Sequence, residues 1–113
     1  MTEIAQETCV PCKGGVRTLT EAEISKLQPQ VPEWQVLDVN GVKRLRREFK
    51  FPDFRQALDF TCKVGEIAER EQHHPDIHLG YGKTMVEVWT HAIRGLHRND
   101  FIVAAKIDEL NGG

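Results

Sequence analysis

All five histidines of the sequence lie between positions 73 and 97. Imidazole titrates near neutrality, so this residue type suits proton transfer, and it is also the commonest metal ligand in proteins. An aspartate close to an imidazole can hold one tautomer and one orientation of the ring. The capacity for acid–base chemistry is therefore concentrated in one short stretch, which contains His73, His74, His78, His91 and His97.

Two carboxylates lie where they can assist these imidazoles. Glu69 precedes His73 by one helical turn, so its side chain can orient that ring or bind a polar substrate. Asp100 is a second candidate for holding an imidazole. Adjacent His73 and His74 diverge by about 100° on a helix, whereas metal-binding histidines on one helix prefer i, i+4 spacing. A catalytic pair, a metal site and ordinary surface histidines all remain open at this point, and we interpret His78 and His97 as surface residues.

Hydrophobic periodicity predicts the elements that carry these residues. Thr20 and Glu23 form a capping-box pattern at the start of a short first helix. Pro75 ends a long helix, because proline disfavours helical backbone at the residue before it. The remaining predicted elements are strands over 34–39 and 42–51, the long helix over 53 to about 71, strands over 76–81 and 84–90, and a last helix capped by Asn99.

Turn residues set the sheet topology. Asn40-Gly41 and Gly82-Lys83 are tight-turn pairs between strands, so each predicts an antiparallel hairpin. The predicted fold is α+β: a four-stranded antiparallel sheet with helices on one face, in the order α-β-β-α-β-β-α. In the second strand Arg47 lies on the same predicted face as the apolar residues Leu45 and Phe49, and so interrupts their alternating pattern.

Composition limits the class of protein. A chain of 113 residues forms one domain, and its net charge of −2 argues against nucleic-acid binding. No apolar run is long enough to span a membrane, and the first residues lack the pattern of a signal peptide, so we expect a cytoplasmic protein. Residues 1–17 are polar and interrupted by Pro11, Gly14 and Gly15, which predicts a flexible N-terminal arm before a single domain over 18–113.

The three cysteines indicate reduced thiols. Cys9 and Cys12 form a Cys-x-x-Cys pair, but a closed zinc site needs four ligands, so we interpret them as incidental thiols of the arm. Cys62 belongs to an apolar arc on the long helix and is predicted to be buried. That arc is wider than one core-facing stripe, which suggests that the helix packs on the sheet and on a second subunit.

The spacing of seven residues resembles the active-site signature of the pterin-4a-carbinolamine dehydratases. They are Glu69, His73, His74, Pro75, Tyr81, His91 and Asp100. Trp89-Thr90-His91 and the segment 95–101 match as well, and the resemblance covers about residues 19–110. It implies the same α+β fold, assembled as a homodimer or homotetramer.

The resemblance also implies a reaction. Members of this family remove water from a 4a-hydroxytetrahydropterin and form a quinonoid dihydropterin, which serves tetrahydrobiopterin recycling beside an aromatic amino-acid hydroxylase. The reaction needs no metal and no organic cofactor. Two imidazoles can supply the acid and the base that it requires.

Residue roles follow from the resemblance position by position. His73 and His91 are the acid–base candidates, and His74 is expected to bind substrate and to hold the leaving hydroxyl. Glu69, Thr90 and Asp100 are expected around the site. Because Thr90 neighbours His91 on a strand, its side chain is expected on the other sheet face, contributing through backbone groups.

Other roles remain possible from the sequence. Trp34, Tyr81 and Trp89 can stack on a flat pterin, although we interpret them as core or sheet-face aromatics. Rival functions are a non-catalytic protein-interaction or dimerisation cofactor, a dehydratase-like protein of another pterin pathway such as that of molybdopterin, and a metallohydrolase built on the histidines.

Overall fold

Two hairpins form the sheet in the computed structural model, which describes residues 3–10 and 16–111. β1 (Gln35–Val39) pairs with β2 (Val42–Lys50), and β3 (Asp76–Gly80) pairs with β4 (Lys83–Val88). β2 also pairs with β4, so the strand order is β1-β2-β4-β3 and every pairing is antiparallel. The predicted four-stranded antiparallel sheet is confirmed.

The hairpin turns adopt left-handed backbone where the sequence predicts it. Asn40 and Gly41 have φ values of 53° and 82°, and the Asp38 carboxylate accepts a hydrogen bond from the Gly41 N–H. Gly82 has φ 71° in the second hairpin. Successive left-handed residues match the twist of paired strands, which explains the short β1–β2 connection.

Three α-helices complete the predicted order α-β-β-α-β-β-α. They are α1 (Glu21–Leu27), α2 (Phe54–Glu71) and α3 (Arg98–Leu110). Thr20 and Glu23 form the predicted capping box of α1, and Asp53 caps α2. Among residues 3–10 and 16–111, no helix combines the length and the apolar character that crossing a membrane requires.

The start of α3 differs from the prediction. His97, not Asn99, is the N-cap: its Nδ1 accepts the Asn99 N–H at 3.0 Å, and the Asp100 carboxylate accepts the His97 N–H at 2.8 Å. The imidazole thus takes the acceptor role that serine or aspartate usually plays in a capping box. His97 is half-buried, and its role as the helix cap was not part of its interpretation as a surface residue.

Helices α2 and α3 pack together and cover the sheet, with α2 against β3 and β4 and α3 against β2. One stripe of α2 is buried, and it consists of Ala57, Phe60, Val64, Ile67 and Ala68. Cys62 lies outside this stripe and is exposed in the single chain, so its predicted burial was wrong. The chain's own core therefore covers only part of the apolar arc.

An ion pair inside the core explains why Arg47 interrupts the alternating apolar pattern of β2. Arg47 Nη1 lies 2.7 Å from Asp108 Oδ1 on α3, and both side chains are largely buried. The same carboxylate oxygen accepts the Trp34 indole N–H at 2.7 Å. Arg47 occupies an inward-facing position because it has a buried carboxylate partner.

The described part of the predicted arm is packed rather than loose. Residues 3–6 form a short 3-10 helix against α3, where Ile4 and Ala5 are buried. Only two apolar side chains in a polar stretch carry this packing, so the sequence pattern did not indicate it. Cys12 lies outside the described residues.

Candidate active site

The backbone at the end of α2 gives His73 and His74 different carboxylate partners. Gln72 has left-handed backbone (φ 55°) and ends the helix, so His73 follows after the chain has turned. The expected pairing of Glu69 with His73 is therefore not formed. Glu69 Oε2 instead lies 2.5 Å from His74 Nε2, and both side chains are exposed.

Asp100 holds the His73 ring from α3. Asp100 Oδ1 lies 2.6 Å from His73 Nε2, and Oδ2 accepts hydrogen bonds from the Thr90 hydroxyl at 2.9 Å and the His97 N–H at 2.8 Å. Asp100 is completely buried. A buried carboxylate with all these partners has little freedom to move, so it gives His73 a defined orientation.

The Thr90 hydroxyl contributes directly, contrary to the expectation of a purely backbone role. β4 ends at Val88, so the strict alternation of side chains no longer applies at Thr90. Thr90 forms an isolated bridge with Gly95, which closes a loop containing the 3-10 helix His91–Ile93. A Cβ atom at position 95 would lie 2.4 Å from Thr18 Cγ2, so a larger residue there would displace the Thr18 side chain.

His91 is held by stacking. Its ring centroid lies 4.4 Å from that of Trp89, with an angle of 22° between the planes. The Arg44 guanidinium carbon lies 3.8 Å from the Trp89 ring centroid, and Arg44 also pairs with buried Glu87. Trp89 thus contacts both a cation and the imidazole, which limits the motion of His91 although that residue is exposed.

The three candidate catalytic imidazoles line one cavity of about 270 Å³. Glu69 and Asp100 contact His74 and His73 respectively. The other aromatic candidates lie elsewhere, because Trp34 is buried in the core and Tyr81 is 77% exposed in a turn. The cavity is lined by Val10, Gln72, His73, His74, Trp89, Thr90, His91 and Ala92.

Sequence reasoning missed three of these lining residues, namely Val10, Gln72 and Ala92. Gln72 and Ala92 directly neighbour the predicted histidines, so the motif itself was a signal for them. Val10 is 63 positions before His73, and no sequence pattern connects the two. Over residues 3–10 and 16–111, no group of three or more His, Cys, Asp or Glu side chains is arranged to hold a metal ion.

This arrangement can transfer protons at two points of one bound molecule. His73 is oriented by a carboxylate and His91 by an aromatic stack, and a third imidazole lies on the same cavity. General acid–base catalysis requires positioned groups of this kind.

Comparisons with known proteins identify the family of this chain. Residues 17–110 match the family model described as pterin 4 alpha carbinolamine dehydratase. A relative from Rubrobacter xylanophilus, provisionally named pterin-4-alpha-carbinolamine dehydratase, is 50% identical over 97% of this chain and 100% of its own length. A relative from Chlorobium limicola with the same provisional name is 49% identical over the full length of both chains.

Solved structures share the fold. A transcriptional coactivator/pterin dehydratase from Brucella melitensis superposes with a TM-score of 0.75 at 31% identity, covering 83% of this chain and 98% of that one. A pterin dehydratase-like protein identified as a RuBisCO assembly factor in the alpha-carboxysome gives a TM-score of 0.61 at 20% identity, over 72% of this chain and 92% of that one, and indicates the fold alone. The chain belongs to the pterin-4a-carbinolamine dehydratase family of hydro-lyases, whose substrate is a pterin.

Proposed function

We propose that this protein dehydrates 4a-hydroxytetrahydrobiopterin to quinonoid dihydrobiopterin by histidine acid–base catalysis. The observation that carries the proposal is the convergence of three imidazoles on one cavity, with His73 held by buried Asp100. The family match supports the pterin substrate, and the cavity geometry supports the roles of the individual side chains.

In the proposed reaction, the carbon–oxygen bond at C4a breaks and its electron pair leaves with the hydroxyl. An acid protonates that oxygen, so water departs. A base removes a proton from a ring nitrogen, whose electrons form the new C=N bond to C4a. We assign these two proton transfers to His73 and His91, which can exchange the roles of acid and base for opposite stereoisomers of the hydroxyl.

His74 has a separate role in the proposal. Its Nε2 is paired with Glu69, and its side chain borders the same cavity. It binds the pterin and holds the leaving hydroxyl, while Glu69 orients its ring. Thr90 and Asp100 act by positioning, because both belong to the hydrogen-bonded group that fixes His73.

We also propose an oligomeric state and a cellular role for the protein. The helix side containing Phe54 and Cys62 is exposed in the single chain, which supports coverage by a second copy in a homodimer or homotetramer. The protein would act in the cytoplasm in tetrahydrobiopterin recycling, beside an aromatic amino-acid hydroxylase. Light scattering tests the assembly, and a monomer at working concentration would contradict it.

The catalytic test follows the absorbance of enzymatically generated 4a-hydroxytetrahydrobiopterin as it decays. We expect wild type to accelerate the decay, His73→Ala/His91→Ala to return it to the uncatalysed rate, and a chelator to change nothing. His78→Ala is the matched control, since His78 is an exposed histidine on β3. A wild type without acceleration would refute the proposed activity, and loss of activity with chelator would favour a metal-dependent reaction.

A further inference from the structure

Residues 3–10, which we call the N-terminal segment, are anchored along α3. Ile4 is completely buried, and its N–H donates to the Gln30 side chain at 3.1 Å. Lys106 Nζ donates to the Ala5 carbonyl at 2.8 Å, and Arg98 forms a two-point ion pair with Glu7. The Arg98 guanidinium holds the pKa of the Glu7 carboxyl below its usual range, so this pair persists at neutral pH.

The end of the segment is held by one side-chain amide. Asn99 Nδ2 donates to the Val10 carbonyl at 2.7 Å, and Asn99 Oδ1 accepts the Val10 N–H at 3.1 Å. The preceding N–H, of Cys9, donates to Glu71 Oε1 at 2.9 Å. Asn99 is 2% exposed, so its amide satisfies both backbone groups of Val10 as a neighbouring strand would.

These anchors place an apolar side chain on the wall of the histidine cavity. Val10 borders the cavity together with His73 and His91, and it is 56% exposed. Asn99 holds Val10, and the next residue, Asp100, holds His73. One turn of α3 therefore fixes both the proposed catalytic imidazole and this part of the wall.

We infer that Val10 is a substrate-binding residue of the dehydratase site and that Asn99 is its positioning residue. The inference rests on the proposed function. The N-terminal segment precedes residues 17–110, which match the family model, so the segment adds a wall to the cavity beyond the histidine motif. An aliphatic wall suits a flat heterocycle, because it removes apolar surface from water without competing for the polar edge of the ring.

The test is steady-state kinetics of Val10→Ala, with Val16→Ala as the matched control. Val16 is also an exposed valine near the N-terminus, and it is 45% exposed. We expect Val10→Ala to raise KM about three- to tenfold with kcat within about twofold, because the lost contact stabilises ground state and transition state alike. The Kd of a stable pterin without the 4a-hydroxyl should rise by the same factor.

Asn99→Leu tests the positioning role. It removes both hydrogen bonds to Val10, so KM should rise by a similar factor, and the double variant with Val10→Ala should be no worse than the worse single variant. Thermal unfolding shows whether Asn99→Leu is folded, and if it is not, Val10→Ala alone decides the proposal.

The outcomes distinguish the role of Val10 from the dehydratase activity itself. An active wild type with equal KM and pterin Kd for Val10→Ala and Val16→Ala overturns the assignment of Val10 and leaves the dehydratase proposal intact. An inactive wild type overturns the dehydratase proposal and, with it, the substrate-binding role of Val10.

Discussion

Asp100 and His73 are 27 positions apart in the sequence, yet Asp100 Oδ1 lies 2.6 Å from His73 Nε2. The other oxygen of the same carboxylate accepts the N–H of His97 and so closes the capping box of α3. One buried side chain thus stabilises the start of a helix and orients the imidazole that we propose as a catalyst. Changes at this residue should alter both stability and activity.

Asp100→Asn should lower kcat by about 10²-fold, because it replaces the carboxylate that orients His73 with a neutral amide. Stability should fall by about 1 kcal/mol through the weakened cap. The control is Thr90→Val, which removes one hydrogen bond to Asp100 but retains the carboxylate, and its loss of kcat should be smaller. A kcat of Asp100→Asn equal to that of wild type would contradict the assigned role.

Glu69→Gln should have a mild effect. Glu69 and His74 are both exposed, and exposed ion pairs contribute little because water and salt screen them. We expect stability within about 0.5 kcal/mol of wild type and kcat/KM lowered less than about tenfold. Urea unfolding and kinetics at two ionic strengths provide the measurement. A loss as large as that of His73→Ala would instead make Glu69 essential to the chemistry.

Arg44→Ala should weaken catalysis through the stack on Trp89 and His91. A cation over an aromatic face contributes about 0.5–2 kcal/mol, so kcat/KM should fall about three- to tenfold as His91 gains freedom. Arg46→Ala is the matched control, because Arg46 pairs with the same Glu87 carboxylate. Equal effects of the two substitutions would show that the ion pair matters rather than the stack.

Cys9 should resist alkylation at pH 8. Burial, reinforced by the nearby Glu71 carboxylate, raises the pKa of the Cys9 thiol to about 12, so at pH 8 only about one molecule in 10⁴ carries the reactive thiolate. Iodoacetamide labelling followed by peptide mass mapping should show slow labelling of Cys9, which accelerates about tenfold per pH unit. Fast labelling of Cys9 at pH 8 would show that the N-terminal segment is undocked.

Arg47→Leu should destabilise the fold by about 3 kcal/mol at pH 7, because it leaves the Asp108 carboxylate buried without its cation. Burial already raises the pKa of the Asp108 carboxyl despite the hydrogen bonds from Trp34 and Arg47. A carboxyl with a raised folded-state pKa costs stability as pH rises through that pKa, so the deficit of the variant should shrink toward pH 4. Urea unfolding at both pH values checks this, and Arg47→Leu/Asp108→Asn should recover part of the loss. A deficit that does not depend on pH would rule out the buried charge as its cause.

Local sequence patterns predicted the four strands and the three α-helices. The Asn40-Gly41 pair predicted the first hairpin because few residues adopt left-handed backbone readily, and Pro75 marked the end of α2 because its ring restricts the residue before it. The histidine motif predicted His73, His74 and His91, and all three border one cavity. These features depend on neighbouring residues or on a short fixed spacing, which a sequence contains in full.

The burial of individual side chains and their contact partners depended on how distant segments pack. Helical periodicity placed Cys62 on an apolar arc, but it did not reveal which part of that arc meets the sheet. The partner of Glu69 changed from His73 to His74 because one left-handed residue, Gln72, redirected the chain. The contact of Val10 with the cavity depends on Asn99, which is 89 positions away. The spacing of apolar residues along a helix or strand identifies the face that is buried. Which residues contact that face depends on how whole helices and strands pack together, and only the tertiary structure shows this.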